Sequence, residues 1–240
     1  TEQACVDMLF AGRAVLAAEK IAPGPLFLSG WSQGGWVTMT ILKHLETLGL
    51  PVTATATASA PVDVFATVNR WINNVQPIDA VFLPGCMALH LQAQEAYLGQ
   101  MGLAAFAIRP EYLQASRDLY TGKIDWVTFR KLTPARCDQF LRQEFRDSGN
   151  LADFPYWQTL ERSQAYRWRS HTPIITYYGV LDEVVPVYIA RLAEAFHTLM
   201  GSGHTESRCA GEKADHRATF VHAVIEEKPW FDTFLANAKR

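Results

Sequence analysis

A short apolar run, Pro25-Leu-Phe-Leu-Ser29, ends in Gly30-Trp31-Ser32-Gln33-Gly34-Gly35 and passes directly into helix-forming sequence. This is the G-x-S-x-G pattern in a strand, tight turn and helix setting, and it constrains the chain more than any other segment. A turn this tight carries its serine at a strained tip. Side chains at positions 30 and 34 are expected to collide with the turn backbone, and a glycine at 35 is expected to let the helix start close to the strand. The Ser32 hydroxyl then points out of the sheet, and the first amides of the helix are aimed at whatever it attacks. Ser32 is the candidate nucleophile, and the backbone N–H of Gln33 is the candidate oxyanion-hole donor.

A serine hydroxyl attacks well only when a base takes its proton and a third group orients that base. After this kind of elbow the partners follow in the order acid, then histidine. In Thr172-Pro-Ile-Ile-Thr-Tyr-Tyr-Gly-Val-Leu-Asp-Glu-Val-Val-Pro186, a β-branched and aromatic run reads as a buried strand that Gly179 ends. Asp182 follows in a turn, on the side of an open α/β sheet where ligands bind. Glu183 is the competing carboxylate, and Asp182 lies nearer the strand end. The expected base is His216, in polar loop sequence just ahead of a helix. His44 and His197 fall in amphipathic helices and are expected to be solvated. His90 and His171 fall in or beside the long middle segment, His204 in a Gly/Ser turn and His222 on the last helix. Asp182 also admits a plain reading as the cap of a following helix.

The readable element order is a helix (5–20), a strand (26–29), a helix (34–48) and a strand (52–59). After a long insertion come a strand (174–178), a helix (187–199), a strand (206–209) and a helix (218–236). Strands alternating with helices predict an α/β fold with a parallel, helix-covered sheet. Residues 1–62 and 171–240 are expected to form its core, with 63–170 as a mostly helical cap. The elbow arrives early, which leaves 26–29 as a bare apolar edge. An N-terminal segment or a second chain is therefore expected to complete the sheet and bring the second oxyanion donor.

The insertion is rich in helix formers (87–103, 111–119, 138–145) and in aromatic residues, among them Trp71, Trp126, Phe140, Tyr156 and Trp157. Most of these are expected to form its own core, and the excess predicts an apolar cleft facing the elbow. Trp31 and Val185 are the candidate walls of the substrate pocket.

The net charge of −2 gives no reason to expect a nucleic-acid partner. No Walker or G-x-G-x-x-G motif points to a nucleotide, and no C-x-x-C or H-E-x-x-H points to a metal, so no cofactor is expected. No apolar run approaches transmembrane length. Cys5, Cys86, Cys137 and Cys209 allow three full pairings, and their even count favours a secreted or periplasmic protein over a cytoplasmic one.

With Ser32, Asp182 and His216 in this order, the chain resembles the α/β-hydrolases. Within them it resembles the secretory lipases, the lipase A-like esterases. The likeness rests on Gly30-Trp31-Ser32-Gln33-Gly34-Gly35, on the spacing of the three residues, and on the large insertion between nucleophile helix and acid strand. It runs from Leu26 to the C-terminus; the cap sequence does not align. What the resemblance implies is cofactor-free hydrolysis of a carboxylic ester, with a small-molecule or lipid ester as substrate. A peptidase or an acyltransferase would use the same three residues, and a non-catalytic binding protein of this fold is the reading outside enzymes.

Overall fold

The computed structural model describes residues 2–150 and 154–237. Position 1, positions 151–153 of the expected cap and positions 238–240 lie outside them. Helix α1 (Glu2–Ala18) leads to strand β1 (Phe27–Trp31), helix α2 (Gln33–Thr47) and strand β2 (Ala54–Ala58). Eight α-helices follow among the described residues: α3 (Val64–Asn73), α4 (Leu83–Leu98), α5 (Leu103–Ala107), α6 (Pro110–Tyr120), α7 (Trp126–Leu132), α8 (Cys137–Phe140), α9 (Gln143–Asp147) and α10 (Pro155–Arg162). The chain then returns through β3 (Ile174–Gly179), α11 (Val187–Ala190), α12 (Leu192–Leu199), β4 (Thr205–Gly211) and α13 (His216–Asn237).

The four strands are all parallel, in the order β1-β2-β3-β4. Two compact units result, one of Thr1–Asp63 with Gln164–Arg240 and one of Val64–Ser163. Residues 164–170, which the sequence reading places in the insertion, lie in the first unit, where Ala165 and Tyr166 are part of a core cluster.

Strand β2 explains how helices cover both faces of this sheet. All five of its residues, Ala54-Thr-Ala-Thr-Ala58, are buried. Their small side chains let helices approach closely. On one face Ile174 packs with Met39, Leu42 and Leu45 of α2. Those three recur every third residue, the spacing of a helix stripe, and each stabilises by about 1.5–3 kcal/mol through burial. On the other face Ala56, Ala58, Ile175 and Tyr177 meet Ala223, Trp230 and Phe231 of α13.

Helix α1 buries only Val6 and leaves Met8, Phe10 and Val15 exposed. No described strand pairs with the outer edge of β1.

A carboxylate ties the returning chain to α2. Glu46 accepts from Trp168 Nε1 (2.7 Å), Ser170 Oγ (2.8 Å), the His171 amide (3.0 Å), and the amide and hydroxyl of Thr172 (3.1 and 2.8 Å). Burial opposes its ionisation, yet these donors outweigh burial and hold its carboxyl below the usual range. Glu46→Ala would orphan several donors at once. We expect a loss of about 2–4 kcal/mol, seen as a Tm lower by about 5–15 °C in thermal unfolding. A Tm within 1–2 °C of wild type, roughly the effect of an ordinary surface substitution, would contradict the clamp.

In the second unit Phe129, Phe140, Phe145 and Tyr156 are fully buried. Trp157 stacks on Phe145 and meets Tyr156 and Phe65 edge-on. These aromatics are spent on the unit's own interior. His90 lies in it too, edge-on to Tyr156, and burial pushes its imidazole down to about 4, so it is neutral at ordinary pH.

His197, expected to be solvated, is fully buried and bonds Thr205 Oγ1 through Nδ1 at 2.7 Å. Its partner is on the next strand, which periodicity along one helix does not show. All four cysteines are free thiols, so no pair supports the expectation of an oxidising compartment. No described helix is long and apolar enough to cross a membrane.

Candidate active site

Ser32 sits between the end of β1 and the start of α2 with φ 56° and ψ −128°. Left-handed φ is rare for a residue with a Cβ and is found where surrounding structure enforces it. Here the Ser32 amide donates to Ala58 O at 2.8 Å and the Ser32 carbonyl accepts from the Trp36 amide at 3.2 Å. A Cβ at position 30 would run into Thr38 Oγ1 and the carbonyl of Gly34. At position 35 it would come within 2.8 Å of Ala60 Cβ. Position 34 differs from the sequence expectation, because a Cβ there meets nothing within 4 Å. Gly34 opens outward, away from the turn interior, so its small size is not a steric requirement of the elbow. Gln33 is the first residue of α2, and a first-turn amide has no intrahelical carbonyl to bind.

Beyond Gly179, the Leu181 amide donates to Ala214 O at 3.0 Å, which joins the turn after β3 to the loop before α13. A side chain at Gly179 would strike that same carbonyl and the Thr219 hydroxyl. Asp182 is buried in this turn. Its Oδ1 accepts from the amides of Val184 (2.9 Å) and Val185 (2.8 Å). His216 begins α13 instead of lying in the loop ahead of it, because Asp215 caps the helix by accepting from the Ala218 amide at 2.7 Å. A helix start is a more rigid platform for an imidazole than a loop.

The three side chains meet within the first unit. His216 Nε2 lies 2.8 Å from Ser32 Oγ, and His216 Nδ1 lies 3.0 and 3.1 Å from Asp182 Oδ1 and Oδ2. A carboxylate only accepts, so Nδ1 carries the proton and Nε2 is left to accept from the serine hydroxyl. Burial raises the cost of charging Asp182. The hydrogen bond and positive field of His216, the Ser59 hydroxyl and the Val185 amide outweigh it, and the carboxyl stays below its usual range.

Glu183, the competing carboxylate, faces the other way. Its Oε2 accepts from the backbone amide of His216 at 2.9 Å and so holds the first turn of α13. Trp31 packs its indole on the His216 ring, with centroids 4.8 Å apart, and on Phe220 at 4.9 Å. Its Nε1–H donates to the His216 carbonyl at 3.1 Å. Trp31, expected as a pocket wall, thus also braces the imidazole. Val185 is 1% exposed, so it presents no surface to a ligand and contributes its amide to Asp182 instead. Sequence reasoning missed Ser59 and Asp215. Asp215 carries a readable signal, being an Asp three residues before Ala218 at a helix start. No group of three or more His, Cys, Asp or Glu that could hold a metal occurs among the described residues.

No protein-family model and no curated protein sequence matches the chain. Solved structures do match. The ligand-bound rice cell wall degrading esterase LipA from Xanthomonas oryzae aligns at TM-score 0.76 and 21% identity, covering 93% of this chain and 61% of its own. A Legionella pneumophila protein aligns at TM-score 0.82 and 19% identity, covering 95% and 62%. Candida antarctica lipase A aligns at TM-score 0.63 and 14% identity, covering 85% and 47%. The chain thus spans about three fifths of the length of the first two structures. Its parallel sheet, its elbow between β1 and α2 and these likenesses together identify the fold: the chain is an α/β-hydrolase-fold protein.

Proposed function

We propose that the protein is a serine hydrolase that cleaves carboxylic esters through an acyl-enzyme. The observation that carries this reading is the continuous line from Asp182 through His216 to Ser32, with a tautomer that leaves Nε2 free to take a proton. The fold likeness to an esterase and a lipase supports the ester class.

In the proposed reaction Ser32 Oγ attacks the ester carbonyl carbon while its proton passes to His216 Nε2. Asp182 holds the imidazole in orientation and stabilises the cation that forms. The oxyanion receives the Gln33 amide at the start of α2. Collapse breaks the bond to the alcohol oxygen, and the alcohol leaves with the proton from Nε2. Water then repeats the sequence on the acyl-serine and releases the acid. The residues do this without a cofactor.

The test is a panel of p-nitrophenyl esters of graded acyl length set beside peptide p-nitroanilides, with a fluorophosphonate probe read by peptide mass spectrometry. We expect ester turnover and probe adduct on Ser32. Faster cleavage of the anilides would make the protein a peptidase. Absence of both turnover and adduct would make it a non-catalytic member of the fold.

A further inference from the structure

Ser59, the residue after β2, has no assigned task in the reaction above. Its backbone stands out: with Lys20 and Ser32 it is one of three described non-glycine residues at positive φ, here 45°. Lys20 is an exposed residue at the end of a helix, whereas Ser59 is fully buried. A conformation of this kind costs about 1–3 kcal/mol and persists where neighbours enforce it.

Those neighbours are the two strand ends that carry the candidate nucleophile and acid. The Ser32 amide donates to the carbonyl of Ala58, next to Ser59, at 2.8 Å. The Ser59 amide donates to Tyr177 O on β3 at 2.9 Å. The residue is therefore wedged between the turn that bears Ser32 and the strand that leads to Asp182. Its side chain is in a telling position. The buried hydroxyl has no hydrogen-bond partner among the described residues, yet it is among the groups that favour the charged form of Asp182. The acid has room for it. Asp182 Oδ1 is taken by two backbone amides and His216, whereas among the described residues Oδ2 is bonded by His216 Nδ1 alone.

We propose that Ser59 is a positioning residue for the acid. Its O–H donates to the Asp182 carboxylate and holds the carboxyl plane toward His216 Nδ1, and this bond tightens as the imidazole becomes a cation during turnover. Catalytic hydrogen bonds are often loose in the unliganded state and close in the reacting complex, which fits a buried hydroxyl wedged between the two strand ends with no partner of its own. The inference rests on the serine-hydrolase reading above. It explains why an L-residue is kept at left-handed φ, where glycine would relieve the strain: the hydroxyl is needed at that point.

Glycine also supplies the test. Ser59→Gly removes the hydroxyl while easing the backbone, so a purely structural role predicts a protein at least as stable and as active as wild type. A positioning role predicts a kcat about tenfold lower, the order expected for losing one hydrogen bond to a charged group, with KM within about twofold. It also predicts that the acid limb of the kcat/KM profile moves to higher pH. A carboxylate with one donor fewer attracts the imidazolium more strongly, while Glu183 and Asp215 nearby are unchanged. Ser59→Ala, which keeps the Cβ, should behave likewise in rate. NMR titration of the His216 ring in wild type and Ser59→Gly gives a readout that needs no substrate, and the midpoint should rise in the variant. Wild-type kcat and an unmoved His216 titration in Ser59→Gly would overturn the proposal. Ser32→Ala run alongside separates the two readings. If it keeps activity, the serine-hydrolase reading fails; if it is inactive while Ser59→Gly matches wild type, only the role of Ser59 fails.

Discussion

Ser32→Ala should lower kcat for ester hydrolysis by at least about a thousandfold with the fold intact. Alanine is the right replacement because it keeps a Cβ at φ 56°, so turn strain is the same in both proteins. Glycine would relieve that strain and confuse loss of the hydroxyl with relaxation of the elbow. What alanine removes is the Oγ that lies 2.8 Å from His216 Nε2. The backbone bonds that shape the turn, from the Ser32 amide to Ala58 and from the Trp36 amide to Ser32, do not involve the side chain. Thermal unfolding should therefore stay within a few degrees of wild type, as for a substitution costing about 1 kcal/mol or less. A residual rate is expected from the amides at the start of α2, which still polarise a bound carbonyl. Retention of more than about a tenth of the wild-type kcat would remove Ser32 from the nucleophile role.

Asp182→Asn should cost nearly as much, for a reason visible in the hydrogen bonds. The amides of Val184 and Val185 both donate to Oδ1, so the asparagine carbonyl must take that position. Its NH₂ then occupies the Oδ2 position, 3.1 Å from His216 Nδ1. Donor then faces donor at that contact, which favours the tautomer with the proton on Nε2 over the one that keeps Nδ1–H on the carbonyl at 3.0 Å, and a protonated Nε2 can no longer take a proton from Ser32. The corresponding change in a serine protease lowers kcat about ten-thousandfold, and a loss on the order of 10³–10⁴ is expected here. Nitrogen chemical shifts of His216 should report the tautomer change directly. Stability should move with pH as well. A carboxyl whose folded pKa is depressed stabilises above its unfolded value and loses that contribution as pH falls through the folded one. The Tm gap between wild type and Asp182→Asn should accordingly be full near neutrality and close in acid, below about pH 4. A gap that stays constant from neutral pH into that range would mean the carboxylate is not held as described.

The parts of this molecule that could be read from sequence are those whose cause is local. The apolar run before Gly30 and the run from Ile174 to Tyr178 are strands for reasons contained in a few residues. Their C-terminal ends fix where Ser32 and Asp182 emerge. The expected helix over 187–199 is present but broken at Arg191, whose ψ of 0° ends one helical piece before the next. What sequence did not disclose depends on distant partners. Residues 164–170 were expected in the insertion, but Trp168 and Ser170 are bonded to Glu46, far back on α2. Trp31 was expected as a pocket wall beside the serine, and its contacts with His216 and Phe220, nearly two hundred residues on, could not be read from the elbow. Ser59 carried no motif at all; its burial and left-handed φ exist only once β2 lies between β1 and β3.

The two ends of the long insertion have a consequence for how this protein can change over time. Just outside it, the Ala165 amide donates to Val62 O at 2.7 Å, and Tyr166 Oη donates to Asp63 Oδ2 at 3.1 Å. The chain therefore leaves the first unit and re-enters it at points that are bonded to each other. Both bonds lie within the first unit, so the two stretches of chain that lead into and out of the insertion are held together on its side. Closing a loop costs only about 0.6 kcal/mol more for each doubling of its length, so this junction tolerates segments of very different size.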